Sequence, residues 1–436
     1  MTVLSRVDGI LARQTARESA ARTYARHFPI VPVRAEGMTV HGADGRTYLD
    51  CLSGAGTLAL GHNHPVVVDA IRRTMDAGRP LHTLDLATPE KDEFVTELFE
   101  TIPNGFKIQF CGPAGTDAVE AAIKLTQTAT GRHSVAAFTG AYHGMTLAAM
   151  SASGGVAART GTNLDVTRLP YPYPYRCPLG LGGTIGEHAA ASYVERLLGD
   201  PNSGVLLPAA LLLEPVQGEG GVIPAPDDWL RRLRTVTQLH GVPLVVDEVQ
   251  TGVGRTGTTW AYERAGIVPD VIVASKAIGG GLPLAVILYR DDLDVWQPGA
   301  HAGTFRGNAL AMAAGAATLR FVRENDLPRR AARIGGRLRD GLEQIRHPAI
   351  GDIRGRGLML GVELVEADAE PDHLGARPAA SALAERVRNE CLQRGLLVEL
   401  GGRHDAVLRL LPPLTITDHE ADAVLDRLAD ALSACA

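Results

Sequence analysis

An acid and a lysine each follow a short apolar run near the middle of the chain. Asp247 comes directly after Leu244–Val246, and Lys276 follows Val271–Ala274 with one serine between them. Short runs rich in β-branched residues predict buried strands, and the ends of such strands are where an open α/β sheet binds its ligand. A buried lysine tends to lose its proton and can then form a Schiff base with an aldehyde. A carboxylate on the neighbouring strand suits a protonated pyridine nitrogen, so the pair indicates pyridoxal phosphate.

Other interpretations of the same residues remain open. A lysine after a strand is most often a solvated strand end, and an aspartate in this position can cap the turn that follows. Residues 252–257 (GVGRTG) also match the GxGxxG pattern of dinucleotide-binding proteins. That pattern requires an acid about 20 residues further on, at the end of the next strand. The next predicted strand leads instead to Lys276, which disfavours a dinucleotide site.

Two segments in this order resemble a family signature. Residues 247–257 read DEVQTGVGRTG, and residues 275–284 read SKAIGGGLPL. The pattern is similar to that of class III aminotransferases, the ω-aminotransferase branch of the fold-type I pyridoxal phosphate enzymes. The resemblance implies an α/β fold: a large domain with a mostly parallel seven-stranded sheet between helices, and a small α+β domain from both termini. We expect an N-terminal arm and part of the small domain in 1–55, the large cofactor-binding domain in 56–325, and the C-terminal small domain in 326–436.

The resemblance also implies roles for individual residues around the cofactor. Lys276 is expected to hold pyridoxal phosphate as a Schiff base and to transfer the proton, while Asp247 pairs with the ring nitrogen. Gln250 is expected to hydrogen-bond the ring hydroxyl, and Tyr142 to stack on the ring. An isolated tyrosine is more often a core residue, so the role of Tyr142 depends on the resemblance.

A glycine-rich helix start predicts an anion site. In residues 112–125 (GPAGTDAVEAAIKL), Gly115 and Thr116 stand at that start, where free backbone N–H groups and the helix dipole favour an anion. An ordinary capped helix is the simpler interpretation. The resemblance implies that these residues hold the cofactor phosphate. It also implies that Thr304, in the segment GTFRGN, reaches the phosphate of the other subunit's cofactor, which makes a homodimer a condition for activity.

Glu219 and Arg409 match a pair that binds substrate in the family. An arginine suits this role because its planar fork meets a carboxylate with two hydrogen bonds. Relatives that act on γ-aminobutyrate or ornithine often carry an arginine where this chain has Met145, a side chain that cannot form an ion pair. The segment 169–180 (LPYPYPYRCPLG), with its alternating Pro and Tyr, resembles the diaminobutyrate aminotransferases within the family.

This narrower resemblance implies a reaction. The terminal amine of L-2,4-diaminobutyrate is expected to pass to 2-oxoglutarate, giving aspartate-4-semialdehyde and glutamate. Ornithine, lysine or γ-aminobutyrate is an alternative donor, and an amino-acid racemase or aminomutase is an alternative activity on the same scaffold. Glu219 and Arg409 favour transfer, because they match a site for a dicarboxylate co-substrate.

Composition limits the function further. The 436 residues carry a net charge of −6 with acids and bases interspersed, which argues against nucleic acid and against a basic membrane surface. No apolar run reaches the roughly 18 residues of a membrane span, and the N-terminus lacks a secretory pattern. The five cysteines show no metal-ligand spacing. We therefore expect a cytoplasmic enzyme with small-molecule substrates and no metal.

Several elements outside the site can also be predicted. The Asp-Gly turn within residues 37–54 indicates a hairpin. Ile353–Leu364 indicates a single strand with a glycine-rich entry, and the pattern of Ala309–Glu324 indicates a helix. A closing amphipathic helix is expected to begin near Asp418.

Overall fold

The structure, a computed structural model, describes residues 3–156 and 164–435. Its helices are α1 Val3–Arg17, α2 Tyr24–His27, α3 Pro65–Asp76, α4 Pro89–Phe99, α5 Gly115–Thr130, α6 Leu147–Ala152, α7 Gly183–Gly199, α8 Asp227–Leu239, α9 Ala309–Glu324, α10 Leu327–Ile345, α11 Ser381–Gln393 and α12 Asp418–Ser433. Its strands are β1 Pro32–Glu36, β2 Thr39–Gly42, β3 Thr47–Asp50, β4 Phe106–Phe110, β5 Val135–Phe138, β6 Val166–Leu169, β7 Ala210–Leu213, β8 Val216–Gln217, β9 Ile223–Pro224, β10 Leu244–Asp247, β11 Val271–Ala274, β12 Val286–Arg290, β13 Ile350–Arg356, β14 Met359–Leu364, β15 Leu396–Leu397, β16 Glu399–Gly401 and β17 Val407–Leu410.

The largest sheet has seven strands in the order β4-β12-β11-β10-β7-β5-β6. Within it, β12 runs antiparallel to both of its neighbours, and the other pairs are parallel. The strands β5, β7, β10 and β11 are buried along their whole length. Continuous apolar strands are typical of a parallel sheet that is covered on both faces. The mostly parallel seven-stranded sheet expected from the sequence is confirmed.

Helices cover this sheet on two sides. Side chains alternate along a strand, so Leu244 and Val246 belong to one core while Val245 belongs to the other. The first core includes Leu230 of α8, and the second includes Ala118 of α5. Because both faces are dry, the polar groups of the central strands can project only from the strand ends.

A smaller unit combines the two ends of the chain. The strands β13, β14, β17 and β16 form an antiparallel sheet in that order, and β1, β2, β3 and β15 form another. In the second sheet β3 runs parallel to β15, with Leu49 opposite Leu396. The expected small α+β domain from both termini is therefore confirmed. The domain boundaries at residues 55/56 and 325/326 remain a prediction.

The strands of the small unit include one confirmed and one wrong prediction. The hairpin within residues 37–54 is confirmed, because β2 pairs antiparallel with β3. The prediction of a single strand over Ile353–Leu364 was wrong, because β13 and β14 pair with each other as a hairpin. Gly357 lies in the turn with a φ of 55°, and a side chain there would lie 2.6 Å from the Arg255 carbonyl oxygen. This glycine permits a chain reversal.

Two helices begin where the sequence predicts. The helix α9 has the expected bounds, and the Asn308 side chain caps it by accepting from two backbone N–H groups. The helix α12 begins at Asp418, with Thr417 and Glu420 forming a reciprocal cap. Within residues 3–156 and 164–435, no helix combines the length and apolar character that crossing a membrane requires.

Candidate active site

Three neighbouring parallel strands deliver polar side chains to one edge of the large sheet. Leu213 of β7 is level with Val246 of β10, and Asp247 is level with Val273 of β11. Glu214, Asp247 and Lys276 follow these positions and all line one cavity of about 280 Å³. The cavity is lined by Ala114, Gly115, Thr116, Tyr142, His143, Gly144, Met145, Glu214, Glu219, Asp247, Val249, Gln250, Thr251 and Lys276.

Lys276 stands just past the end of β11 in an unusual backbone conformation. Its φ of 52° is in the left-handed region, where a lysine is uncommon. The hydroxyl of Ser275 donates to the Leu284 carbonyl at 2.8 Å and helps to hold this bend. Burial lowers the pKa of Lys276, while the nearby carboxylates of Glu219 and Asp247 oppose that shift. The arrangement favours a neutral, nucleophilic amine.

Asp247 is held at the floor of the cavity by two hydrogen bonds. The Val249 N–H donates to Oδ1 at 3.1 Å, and Nδ1 of His143 lies 2.8 Å from Oδ2. Both side chains are buried, and Nε2 of His143 has no hydrogen-bond partner in the described part of the chain. Sequence reasoning missed His143, although it directly follows Tyr142 in the segment AYHG.

Glu214 joins two walls of the cavity. Its Oε1 accepts from the Tyr142 N–H at 2.8 Å, and its Oε2 accepts from the Gly218 N–H at 3.0 Å. Burial raises the pKa of Glu214 to about 7, with nearby Asp247 adding to the rise and His143 opposing it. The carboxylate therefore connects the loop of Tyr142 with the loop that leads to Glu219.

The start of α5 forms another wall. Gly115 begins this helix, and a side chain there would lie 2.9 Å from Cγ1 of Val249. The hydroxyls of Thr116 and Thr146 lie 2.6 Å apart. Gly144, with a φ of 118°, packs so closely on Thr116 that a larger residue would collide with it. Close packing with glycine leaves the backbone N–H groups of the helix start open to an anion.

Gln250 and Tyr142 complete the lining around this floor. The side-chain amide of Gln250 donates to the Ala55 carbonyl at 3.1 Å, whereas its Oε1 is buried with no partner among residues 3–156 and 164–435. Such an orphaned polar atom points to a missing ligand or water. The Tyr142 ring and Met145 lie at the mouth, with 42% and 55% of their surfaces exposed.

Glu219 and Arg409 form an ion pair beside the cavity. Arg409 Nη1 lies 2.5 Å from Glu219 Oε1, and Arg409 is only 2% exposed. Glu219 lines the cavity. Arg409, on β17 of the small domain, contacts Glu219. The structure therefore brings together two residues that are 190 positions apart in the chain.

Thr304 is placed away from this cavity. It lies on an exposed loop, and its carbonyl accepts from Nε2 of His82 at 3.0 Å. The loop borders a second depression of about 370 Å³, where Leu81, Leu84 and Phe305 are well exposed. Of the site residues expected from the sequence, Thr304 does not line the cavity, and Arg409 reaches it through Glu219.

The chain belongs to the class III aminotransferase family, because the sequence profile described as aminotransferase class-III matches residues 20–432. It is 56% identical over 430 residues to the diaminobutyrate–2-oxoglutarate aminotransferase of Rhizobium meliloti (strain 1021), covering 97% of this chain and 92% of that protein. It is 46% identical over 440 residues to a protein of the same name from Haemophilus influenzae, covering 98% and 97%. An amine transaminase from an uncultivated Pseudomonas species, solved in a PLP-bound form, superposes with a TM-score of 0.84 at 29% identity, covering 96% and 98%.

Proposed function

We propose that this protein transfers the terminal amine of L-2,4-diaminobutyrate to 2-oxoglutarate, giving aspartate-4-semialdehyde and glutamate. The two relatives named for this reaction support the choice of substrates, since each covers nearly the whole chain. The observation that carries the chemistry is the shared strand edge on which Lys276 and Asp247 line one cavity. A buried amine of lowered pKa beside a carboxylate is the arrangement that pyridoxal phosphate chemistry uses.

The cavity fits pyridoxal phosphate by its chemistry. Lys276 supplies the amine that binds the aldehyde, and Asp247 supplies the carboxylate for the ring nitrogen. The Oε1 atom of Gln250 is buried without a partner among the described residues, so the side-chain amide of Gln250 would be free to hydrogen-bond the ring hydroxyl. The bound ligand would set which end of the amide faces that hydroxyl. Gly115 and Thr116 hold the phosphate at the start of α5. When bound, the cofactor supplies an electron sink for the carbanion that forms at the substrate carbon.

The protein's own residues then move the proton and orient the substrate. Lys276 Nζ would take the proton from the reacting carbon of the substrate and pass it to the cofactor carbon that carried the aldehyde, which requires the neutral amine that burial favours. Tyr142 lines one side of the cavity, where its ring would stack on the ring of the cofactor. His143 holds Asp247 in place through the 2.8 Å contact, so the carboxylate stays aimed at the cavity.

Glu219 and Arg409 let two unlike substrates share one pocket. With the ion pair closed, the positive charge of Arg409 is neutralised and the cavity accepts a side-chain amine. With Glu219 moved aside, Arg409 binds the α-carboxylate of glutamate or 2-oxoglutarate. Leaving the buried charge of Arg409 without a partner would cost about 3–5 kcal/mol, and the incoming carboxylate supplies the replacement partner.

We also propose that the active form is a homodimer in which Thr304 serves the partner's cofactor phosphate. Two observations support this. Thr304 does not line the cavity of its own chain, and exposed apolar side chains (Leu81, Leu84 and Phe305) surround its loop. Exposed apolar patches of this kind mark association surfaces. A cytoplasmic location remains part of the same proposal.

A coupled assay for glutamate release across a panel of amine donors tests the proposed function. Diaminobutyrate is expected to give the highest kcat/KM, and release is expected to require 2-oxoglutarate. Turnover of ornithine, lysine or γ-aminobutyrate without turnover of diaminobutyrate would contradict the proposal. Interconversion of amino-acid isomers without any keto acid would instead indicate a racemase or aminomutase.

A further inference from the structure

The N-terminal arm carries a tyrosine, Tyr24, that has no role in the proposed reaction steps. Tyr24 and His27 are one turn apart in α2, so their side chains lie on the same face. Tyr24 is 47% exposed, and its hydroxyl makes no hydrogen bond within the described ranges. A tyrosine hydroxyl that lacks a partner is available to a ligand.

A contact with the small domain fixes the position of this arm. Nδ1 of His27 lies 3.2 Å from Oε1 of Glu399, which is buried. Glu399 on β16 is directly opposite Arg409 on β17. Residues directly opposite in an antiparallel pair have their Cβ atoms about 5 Å apart and point to the same face. The bond of His27 therefore places the arm beside the arginine that pairs with Glu219.

The charged groups around Tyr24 also indicate a position near the Glu219–Arg409 pair. Burial raises the pKa of its hydroxyl, and Glu219 and Arg409 are the strongest charged influences on it, followed by Glu399 and Tyr142. A raised pKa means that the hydroxyl keeps its proton at neutral pH. The contact of His27 with Glu399, which is opposite Arg409, therefore brings the protonated hydroxyl of Tyr24 near the Glu219–Arg409 pair.

We propose that Tyr24 is a specificity-determining residue of the acceptor site, whose hydroxyl donates to the carboxylate of a 2-oxo dicarboxylate while Arg409 binds that carboxylate. The inference rests on the proposed function, and it adds a second group that binds the substrate carboxylate once Glu219 has moved aside. In the closed state Arg409 is engaged by Glu219 and the hydroxyl of Tyr24 is free. When a substrate carboxylate replaces Glu219, the arginine and the tyrosine hold it from two directions. The donor substrate, which is accepted in the closed state, makes no use of this hydroxyl.

Glutarate is a suitable probe, because it carries both carboxylates but neither a keto group nor an amine. Its affinity for the holoenzyme is measured by titration calorimetry in the wild type and in Tyr24→Phe. A hydrogen bond to a charged group is expected to be worth about tenfold or more in affinity. Tyr193→Phe is the matched control, because Tyr193 is 46% exposed and lies on α7, and it is expected to bind glutarate like the wild type.

The kinetics give a second readout. Tyr24→Phe is expected to raise the KM for 2-oxoglutarate about tenfold while the KM for the amine donor changes less than about twofold. His27→Ala frees the arm and is expected to weaken glutarate binding to a similar extent. The double variant with Tyr24→Phe is expected to show little further loss, because both changes remove the same hydrogen bond to glutarate.

Two outcomes would overturn the inference. One is unchanged glutarate affinity in Tyr24→Phe, and the other is an equal rise in KM for donor and acceptor. A wild-type holoenzyme that neither binds glutarate nor releases glutamate would overturn the proposed function as well. A wild type that does both, beside an unaffected Tyr24→Phe, would overturn the role of Tyr24 alone.

Discussion

The floor and the mouth of the cavity are built in different ways. The floor consists of Lys276, Asp247 and Glu214, which lie at or just beyond the ends of three hydrogen-bonded parallel strands that are buried throughout. The mouth is formed by the loops of Tyr142, Met145 and Glu219, and Glu219 pairs there with the buried Arg409 of β17. A reaction centre needs fixed geometry, whereas exchange between two substrates needs groups that can move. We therefore expect substitutions at the floor to alter the rate of the chemical step, and substitutions at the mouth to alter which substrate is bound.

The strongest test of the floor is Lys276→Ala. The change removes both the proposed attachment point of the cofactor and the proposed base, so kcat is expected to fall by at least about a thousandfold. Steady-state glutamate release with diaminobutyrate measures the loss, and thermal unfolding shows whether the fold is kept. Lys107→Ala, at a half-exposed lysine that pairs with Asp294, is the control and is expected to keep full activity. Substantial turnover in Lys276→Ala would show that another residue is the base.

Asp247→Asn tests whether the floor acts through its charge. The variant keeps the shape but loses the carboxylate, and kcat is expected to fall by about a hundredfold because a neighbouring carboxylate shifts the protonation of its partner by 1–3 pKa units. In His143→Gln, kcat is expected to fall by only about tenfold, because the Asp247 carboxylate remains but loses its 2.8 Å partner. Equal losses in both variants would contradict the division between a charged group and the residue that positions it.

Arg409→Leu tests the mouth. Removing Arg409 takes away a hydrogen bond between charged groups that is worth about 2 kcal/mol, so the KM for 2-oxoglutarate is expected to rise about thirtyfold. The rate of the first half-reaction with saturating diaminobutyrate is expected to change much less. A loss confined to the donor half-reaction would show that the floor and the mouth do not divide chemistry and selection in this way.

The main residues of both the floor and the mouth could be predicted from the sequence, but two residues that contact or flank them could not. Asp247 and Lys276 were recognisable because an apolar run that ends in a charged residue marks a buried strand with a polar end. His143 was missed because its significance depends on Asp247, which is 104 residues away. Tyr24 was missed for the same reason, because the arm is positioned by a contact between residues 372 positions apart. The proposed role of Thr304 involves a second chain, so a single sequence carries that prediction only by resemblance.

Glu214 is where the floor and the mouth meet, and its replacement is expected to have the smallest effect. Both carboxylate oxygens accept backbone N–H groups, from Tyr142 and from Gly218. Glu214→Gln keeps one acceptor and places an amide donor against the other N–H, so kcat/KM is expected to fall about fivefold at pH 8. In the wild type kcat/KM is expected to decline below pH about 7, where this carboxylate takes up a proton, and the decline is expected to be absent in the variant.

The same residue makes an opposite prediction for stability. The folded-state pKa of Glu214 is about 7, above the ordinary value of 4.5, so the folded protein binds this proton more tightly than the unfolded chain does. Its contribution to the free energy of unfolding is therefore fully present below pH about 4.5 and is lost as the pH rises through about 7. Glu248, raised by burial to about 7, adds a similar slope in both proteins, so the difference between wild type and Glu214→Gln isolates Glu214. Denaturant unfolding between pH 5 and pH 8 should show that the variant gains stability relative to the wild type as the pH rises. If the difference in free energy of unfolding between the two proteins stays constant across that range, the Glu214 carboxylate is better solvated than a group at the cavity floor. Glu214 would then belong to the mouth.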